Sequence, residues 1–152
     1  MGYRILLFVH VMSVIGWLGA GIVFQVLSER AVGLRDERRI RALLTMGDDL
    51  GPVYFGIVTV LVLLTGLGMV FDGDWGFGEP FVIGGLAGIV ASGALGGAVI
   101  GPTSKRAQAA FQEGGVVTPE ITDMLARVRN FGRLDLALMI VVVFLMTYKP
   151  GT

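Results

Sequence analysis

His10 is the single histidine of the 152-residue chain, and it falls inside the first long apolar stretch. An ionisable side chain at that depth is costly unless it faces a bundle interior, so a ligand or an interhelical partner is expected for it. On a helix His10, Ser13 or Val14, Trp17 and Gly21 share one face, which is the face expected to look inward. Neutral imidazole is the commonest metal ligand, so the functional reading of His10 is metal or haem ligation. The structural reading is a histidine hydrogen-bonded across helices. Counting along the apolar runs puts Met69 and Met146 near the depth of His10. Histidine with methionine suits Cu(I), and the same pair can supply the two axial ligands of haem b. With one histidine, bis-histidine haem within one chain is excluded. The alternative for Met69 and Met146 is gap-filling, which methionine does widely and which seven of them in one chain allow.

Asp135 is the second ionisable group within an apolar run, near the arginine-rich end, with Gln25 expected at a similar height. A carboxylate there can relay protons or bind a cation; the structural reading is a contact with Gln25, Arg133 or an arginine of the first connection. Sequence patterns for paired catalytic carboxylates, a nucleophile elbow, a phosphate loop or a zinc-protease helix are absent. Cysteine is absent as well, which removes disulfides, thiolate metal sites, iron–sulfur clusters, thioether-attached haem and cysteine nucleophiles.

The elements that position these residues follow from composition. Hydrophobic residues make up 54% of the chain and charged residues 16%, with a mean hydropathy of +0.77. Those values lie outside the soluble class and point to one integral membrane domain over 1–152, surrounded by lipid. Formal net charge is zero, and nothing suggests nucleic-acid binding. Four spans are expected, at approximately 5–27, 51–71, 81–101 and 131–149, in an all-α four-transmembrane-helix bundle. The first covers roughly 23 residues and, lacking a small-x-small cleavage site, is expected to be retained rather than removed as a secretory signal. The fourth has only about 13 uninterrupted apolar residues after Asp135; Thr118, Pro119 and Glu120 form a helix start from which one long helix can enter the membrane near Arg133. The third is paved with small residues, among them Gly84, Gly85, Gly88, Gly93, Gly96 and Gly97, and is expected to be the central packing helix.

Arg30, Arg35, Arg38, Arg39 and Arg41 fill the first connection, and Lys105, Arg106, Arg127, Arg129 and Arg133 fill or border the third. The second connection, Asp72 to Pro80, has no basic residue. The positive-inside rule then puts both termini and the acidic hairpin outside, with Tyr3, Trp75, Phe77 and Tyr148 at the outer interface. The cytoplasmic connections are expected to carry helical extensions. Arg35 to Met46 groups Ile40, Leu43 and Leu44 on one face, with Gly47, Asp48 and Asp49 breaking and recapping the chain before Pro52. Ser104 to Gln112 is a further short helix, ended by Gly114 and Gly115. Two helical hairpins protruding into the cytoplasm are expected.

The opening LLFVHVMSVIGWLGAGIVF resembles the first span of copper-resistance-D-like bacterial membrane proteins, in which a histidine precedes a Trp-Leu-Gly segment. The ending RLDLALMIVVVFLMTYKPG resembles the small four-span family catalogued as domain of unknown function 2269 (DUF2269). The first resemblance implies copper handling, and a related four-span group implies haem chemistry as a protoporphyrinogen oxidase, with His10 the position that takes a ligand role. The second implies the fold and a bacterial cytoplasmic (inner) membrane location rather than an activity. Three functions remain open from the sequence: a noncatalytic haem- or copper-binding protein or accessory subunit of a redox membrane complex; a small proton- or cation-coupled transporter using Asp135 and His10; and a membrane oxidoreductase acting on a porphyrin or quinone. A homo-oligomer is compatible with each.

Overall fold

In a computed structural model of the chain, residues 2–49, 51–73 and 75–149 are described, apart from the side chains of residues 46–49 and 52. The described residues are all-helical: α1 (Gly2–Gly33), α2 (Glu37–Asp49), α3 (Gly51–Asp72), α4 (Pro80–Leu95), a π-helical turn (Gly96–Ile100), α5 (Gly101–Gly114) and α6 (Pro119–Tyr148). Four helices are long and apolar enough to cross a membrane: Gly2–Gly33, Val53–Asp72, Pro80–Gly114 and Pro119–Tyr148. Phe8, Ile15, Val90 and Phe144 are exposed on them. Large apolar side chains facing outward along a whole helix are what a lipid-facing surface requires.

The helix ends follow local chemistry. α1 stops where Arg35 takes a left-handed backbone (φ 49°) and the Asp36 N–H turns back to Ala31 O at 3.1 Å. Asp36 then caps α2, its carboxylate accepting from Arg39 N at 3.2 Å. The break and recapping expected from Gly47, Asp48, Asp49 and Pro52 involves side chains outside the described set; the backbone stays helical through Asp49 and resumes at Gly51. Thr118 caps α6, accepting from Ile121 N at 3.3 Å, and the helix runs unbroken from Pro119 to Tyr148. The short fourth apolar run is thus the C-terminal half of one long helix.

The helix that holds the third span does not stop at Gly101: α4, the π turn and α5 form one continuous helical rod to Gly114. Pro102 has no N–H and its ring excludes the carbonyl four residues back. The widened turn before it, where Gly101 N–H donates to Gly96 O, lets the helix pass the proline. The rod ends at Gly115, whose φ of 66° suits glycine and whose N–H reaches Phe111 O at 2.7 Å.

Nor is the glycine-rich span central. α1 packs on α3 and α6, and α6 on α4, whereas α3 and α4 touch only sparsely. The order α3–α1–α6–α4 is an open arc, and α4 lies at one edge of it. Its close packing is confined to the half nearer Pro80. A Cβ on Gly84 would stand 3.0 Å from Leu145 Cδ1, and one on Gly85 or Gly88 would overlap Met146 or Val142 of α6. A Cβ on Gly93, Gly96 or Gly97 would meet nothing within 4 Å.

A second core lies at the arginine-rich end. Ala31 and Val32 of α1, Ile40 and Leu44 of α2, Ala107 of α5 and Ile121 and Leu125 of α6 are buried together, with Leu43 packed against them. The expected apolar face of α2 is therefore where the sequence puts it. The two hairpins do not protrude separately, because they share this core, with Arg41 stacked over the Phe111 ring at 5.1 Å. Arg133 grips Glu29 through both carboxylate oxygens, Arg133 Nη2 to Glu29 Oε2 measuring 2.6 Å, which ties α6 to α1 between the two cores.

Candidate functional site

The inward face of α1 holds the site together. Trp17 is buried, and its neighbours on the face, His10 and Val14, line a partly open cavity of about 380 Å³ between α1, α3, α4 and α6. Met69 of α3 and Met146 of α6 line the same cavity, so His10, Trp17, Met69 and Met146 share one wall system. Val62, Gly66, Phe81, Gly85 and Ile89 supply apolar surface, and Trp75, Tyr3 and Lys149 stand at the end nearest the chain termini. The volume falls within the usual range of small-molecule sites, roughly 300–1,000 Å³. The sparse α3–α4 contact leaves the weakest stretch of wall between those two helices.

His10 is held by α3. Its Nδ1 lies 3.1 Å from Val62 O and 3.0 Å from Thr65 Oγ1. A carbonyl can only accept, so Nδ1 carries the proton. Thr65 already donates its hydroxyl to Leu61 O at 2.5 Å and presents a lone pair to the same N–H. The neutral ring thereby keeps its other lone pair on Nε2, for which no hydrogen-bond partner occurs among the described residues. An imidazole whose N–H is fixed by a backbone carbonyl and whose other nitrogen is bare is the arrangement that orients a metal-ligating histidine. Gly66 allows it, since a Cβ there would approach His10 Cε1 to 3.3 Å.

The interhelical hydrogen bond expected under the structural reading is thus present, but it occupies only one of the two ring nitrogens. Met146 packs against Gly85, as a gap-filler does, while still facing the cavity. Among the described residues, no group of three or more His, Asp and Glu side chains converges. The thioether sulfurs of Met69 and Met146 are the soft donors that line the cavity with His10.

Asp135 does not line this cavity and has other neighbours than expected. Gln25 Nε2 donates to Glu29 Oε1 at 2.8 Å, and Arg133 also binds Glu29, so neither pairs with Asp135. Ser92, buried on α4, neighbours the Asp135 carboxyl. Asp135 Oδ1 is buried with no partner among the described residues.

Sequence reasoning missed Thr65, Val62 and Gly66 as the support of His10, and Lys149 as part of the wall. A threonine within the second span is a visible polar exception, but threonine in a helix commonly bonds its own preceding turn, as Thr65 does to Leu61 O. Nothing local marks it as a partner of His10.

No curated protein and no solved structure matches the chain. The family comparison does find a match, over residues 4–150, to the family described as "Predicted integral membrane protein (DUF2269)". A multi-pass chain with four membrane-length helices, matched over almost its whole length, belongs to the DUF2269 family of integral membrane proteins.

Proposed function

We propose that this protein is a noncatalytic membrane-embedded binding protein for haem b, which His10 Nε2 and the sulfur of Met146 or Met69 would hold. The observation that carries the reading is His10 in the wall of an apolar cavity, its Nδ1 within hydrogen-bond distance of Val62 O and Thr65 Oγ1 so that Nε2 is left for a ligand. Cu(I) suits the same three donors. A bare ion would leave most of the cavity unfilled, since 380 Å³ holds roughly a dozen waters at about 30 Å³ each. When bound, haem iron supplies reversible one-electron chemistry. The chain's own part is to orient the imidazole, offer thioether sulfur and exclude water, either alone, as a homo-oligomer or as an accessory subunit of a redox complex.

The proposal places the protein in a bacterial cytoplasmic membrane, with the arginine-rich core in the cytoplasm and both termini outside. That orientation rests on the arginine distribution. The test is a titration of the detergent-purified full chain with haem b. A shifted Soret band that His10→Ala abolishes and Met139→Leu leaves intact is expected. No band in the wild type overturns the reading, and metal analysis that finds copper at one equivalent redirects it to Cu(I).

A second reading, proton or cation transfer, draws support from the buried, partnerless Oδ1 of Asp135. Flux in liposomes that persists unchanged in Asp135→Asn counts against it.

A further inference from the structure

Packed side chains bound the His10 cavity at both ends. Its floor is the buried cluster of Trp17, Val58, Val62, Ile89 and Met139. Its roof lies at the end nearest the chain termini, where Trp75 meets Phe81 edge to face at 5.2 Å. Lys149 Nζ covers both rings, 4.5 Å from the centroid of Trp75 and 5.6 Å from that of Phe81. Gly73 completes the roof under the same crowding, since a Cβ there would come within 2.7 Å of Met69 O, 3.0 Å of Trp75 Cδ1 and 3.4 Å of Tyr3 Cε2.

The side walls differ from one another. Where α3 meets α1, a Cβ on Gly66 would stand 3.3 Å from His10 Cε1, and one on Gly68 would stand 3.2 Å from Leu6 Cδ1. Where α4 meets α6, a Cβ on Gly84, Gly85 or Gly88 would press on or overlap Leu145, Met146 or Val142. α1 and α6 pack along each other as well. Between α3 and α4 no glycine of either helix makes such an approach, and the two touch only sparsely. By elimination, this seam is the opening of the partly open cavity. Helical spacing names its edges. At about 100° per residue, Leu67 stands roughly 160° round α3 from Thr65, which holds His10, and Leu86 roughly 160° round α4 from Gly88, which meets α6. Both leucines line the cavity and both are half-buried. Val70 and Val82 continue the two edges toward the roof, so the seam is aliphatic on both sides.

We propose that the ligand of this cavity is a largely apolar molecule dissolved in the bilayer, which reaches His10 sideways, between Leu67 of α3 and Leu86 of α4. The inference rests on the reading of the cavity as the ligand site and adds the phase that supplies the ligand and the route it takes. A molecule arriving from water at the roof must part Trp75, Phe81 and Lys149, which hold one another. A molecule arriving from lipid displaces only aliphatic side chains, and their movement uncovers no backbone polar group, because each helix satisfies its own. α4 is free to make that movement. It lies at the edge of the arc and packs chiefly on α6, so a small outward tilt widens the seam while the contacts of α1 with α3 and α6 stay in place.

The experiment bridges the seam. The chain lacks cysteine, so Leu67→Cys combined with Leu86→Cys can be joined by a reducible bifunctional thiol reagent. At about 1.5 Å per residue the two positions lie roughly 8–9 Å from the hairpin that joins their helices, which puts them at matching depth. The full-length double variant is placed in liposomes whose lipid carries haem b, and uptake is followed by the Soret shift. The bridged protein is expected to load about tenfold or more slowly than the unbridged one, because binding then waits on an opening motion that the bridge blocks. Reduction of the bridge in the same sample is expected to restore the rate, which separates a closed route from a damaged fold. Leu86→Ala, which trims the seam, is expected to load faster than wild type. Uptake at an equal rate with the bridge in place, or no gain in Leu86→Ala, overturns lateral entry and leaves the His10 reading standing. Absence of any Soret shift in wild type overturns the two together.

Discussion

Gly88→Ala should destabilise the protein where the equivalent change five residues further along α4, at Gly93, stabilises it. The added Cβ at Gly88 would overlap Val142 Cγ2 of α6. Valine on a helix is confined almost wholly to one χ1 rotamer, so Val142 cannot swing aside and the helices must part. Overpacking of this kind costs about 1–3 kcal/mol. Against it stands the intrinsic gain of alanine over glycine in a helix, up to about 1 kcal/mol. The net expectation is a loss of roughly 1–2 kcal/mol. Gly93→Ala supplies the internal reference, because a Cβ there meets nothing within 4 Å and only the favourable term remains. Gly85→Ala should fall between them: its Cβ would overlap Met146 Cε, the end of a flexible side chain that can retreat. Stability is measured by reversible SDS titration of the detergent-solubilised protein. Val142→Ala in the Gly88→Ala background should restore most of the loss, a coupling that a double-mutant cycle isolates. A Gly88→Ala protein as stable as Gly93→Ala, or one that Val142→Ala fails to rescue, would refute the packing of α4 on α6 described above.

Further outcomes follow from the two cores and the charge distribution. Ile121→Ala empties a fully buried site in the arginine-rich core and should cost about 2–5 kcal/mol in the same titration. Because that core is separate from the cavity, haem b affinity under native conditions should be unchanged; a matching loss of affinity would show the cores to be one unit. For orientation, the chain lacks cysteine, so single cysteines report cleanly. Gly78→Cys and Gly33→Cys, at positions where a Cβ meets nothing within 4 Å, should label from opposite sides in intact cells, Gly78→Cys from outside. Labelling of Gly78→Cys only after the membrane is opened would reverse the proposed topology.

The long-range order of the fold was legible in part, for reasons visible at particular residues. Apolar length alone pointed to four membrane-length helices, and Thr118-Pro119-Glu120 marked the start of α6 because capping chemistry is local. Pro102 concealed the continuation of the third helix, since a proline after a glycine-rich run ordinarily signals a stop, and the compensating π turn has no sequence signature of its own. The edge position of α4 was hidden for a different reason. Small residues permit close approach without saying on how many sides it happens, and here only the Gly84, Gly85 and Gly88 end is used against α6. At the site, helical spacing put His10 and Trp17 on one inward face, and depth counting brought Met69 and Met146 to the same cavity. Thr65 and Val62, which set the tautomer of His10, became visible only when α3 was placed against α1. Likewise Arg133 was expected near Asp135 but reaches across to Glu29, a pairing between helices that spacing within one helix does not encode.

The central claim is that His10 Nε2 is the ligand-binding atom, its partner nitrogen fixed by α3. With one histidine in the chain, ¹⁵N-histidine labelling of the protein in lipid bilayers gives a spectrum of that ring alone. The account predicts a neutral imidazole with a protonated Nδ1 and an unprotonated Nε2, and a large displacement of the Nε2 resonance when zinc protoporphyrin, a diamagnetic stand-in for haem b, is added. An Nε2-protonated ring, or an Nε2 resonance that stays in place on saturation with the porphyrin, would contradict it.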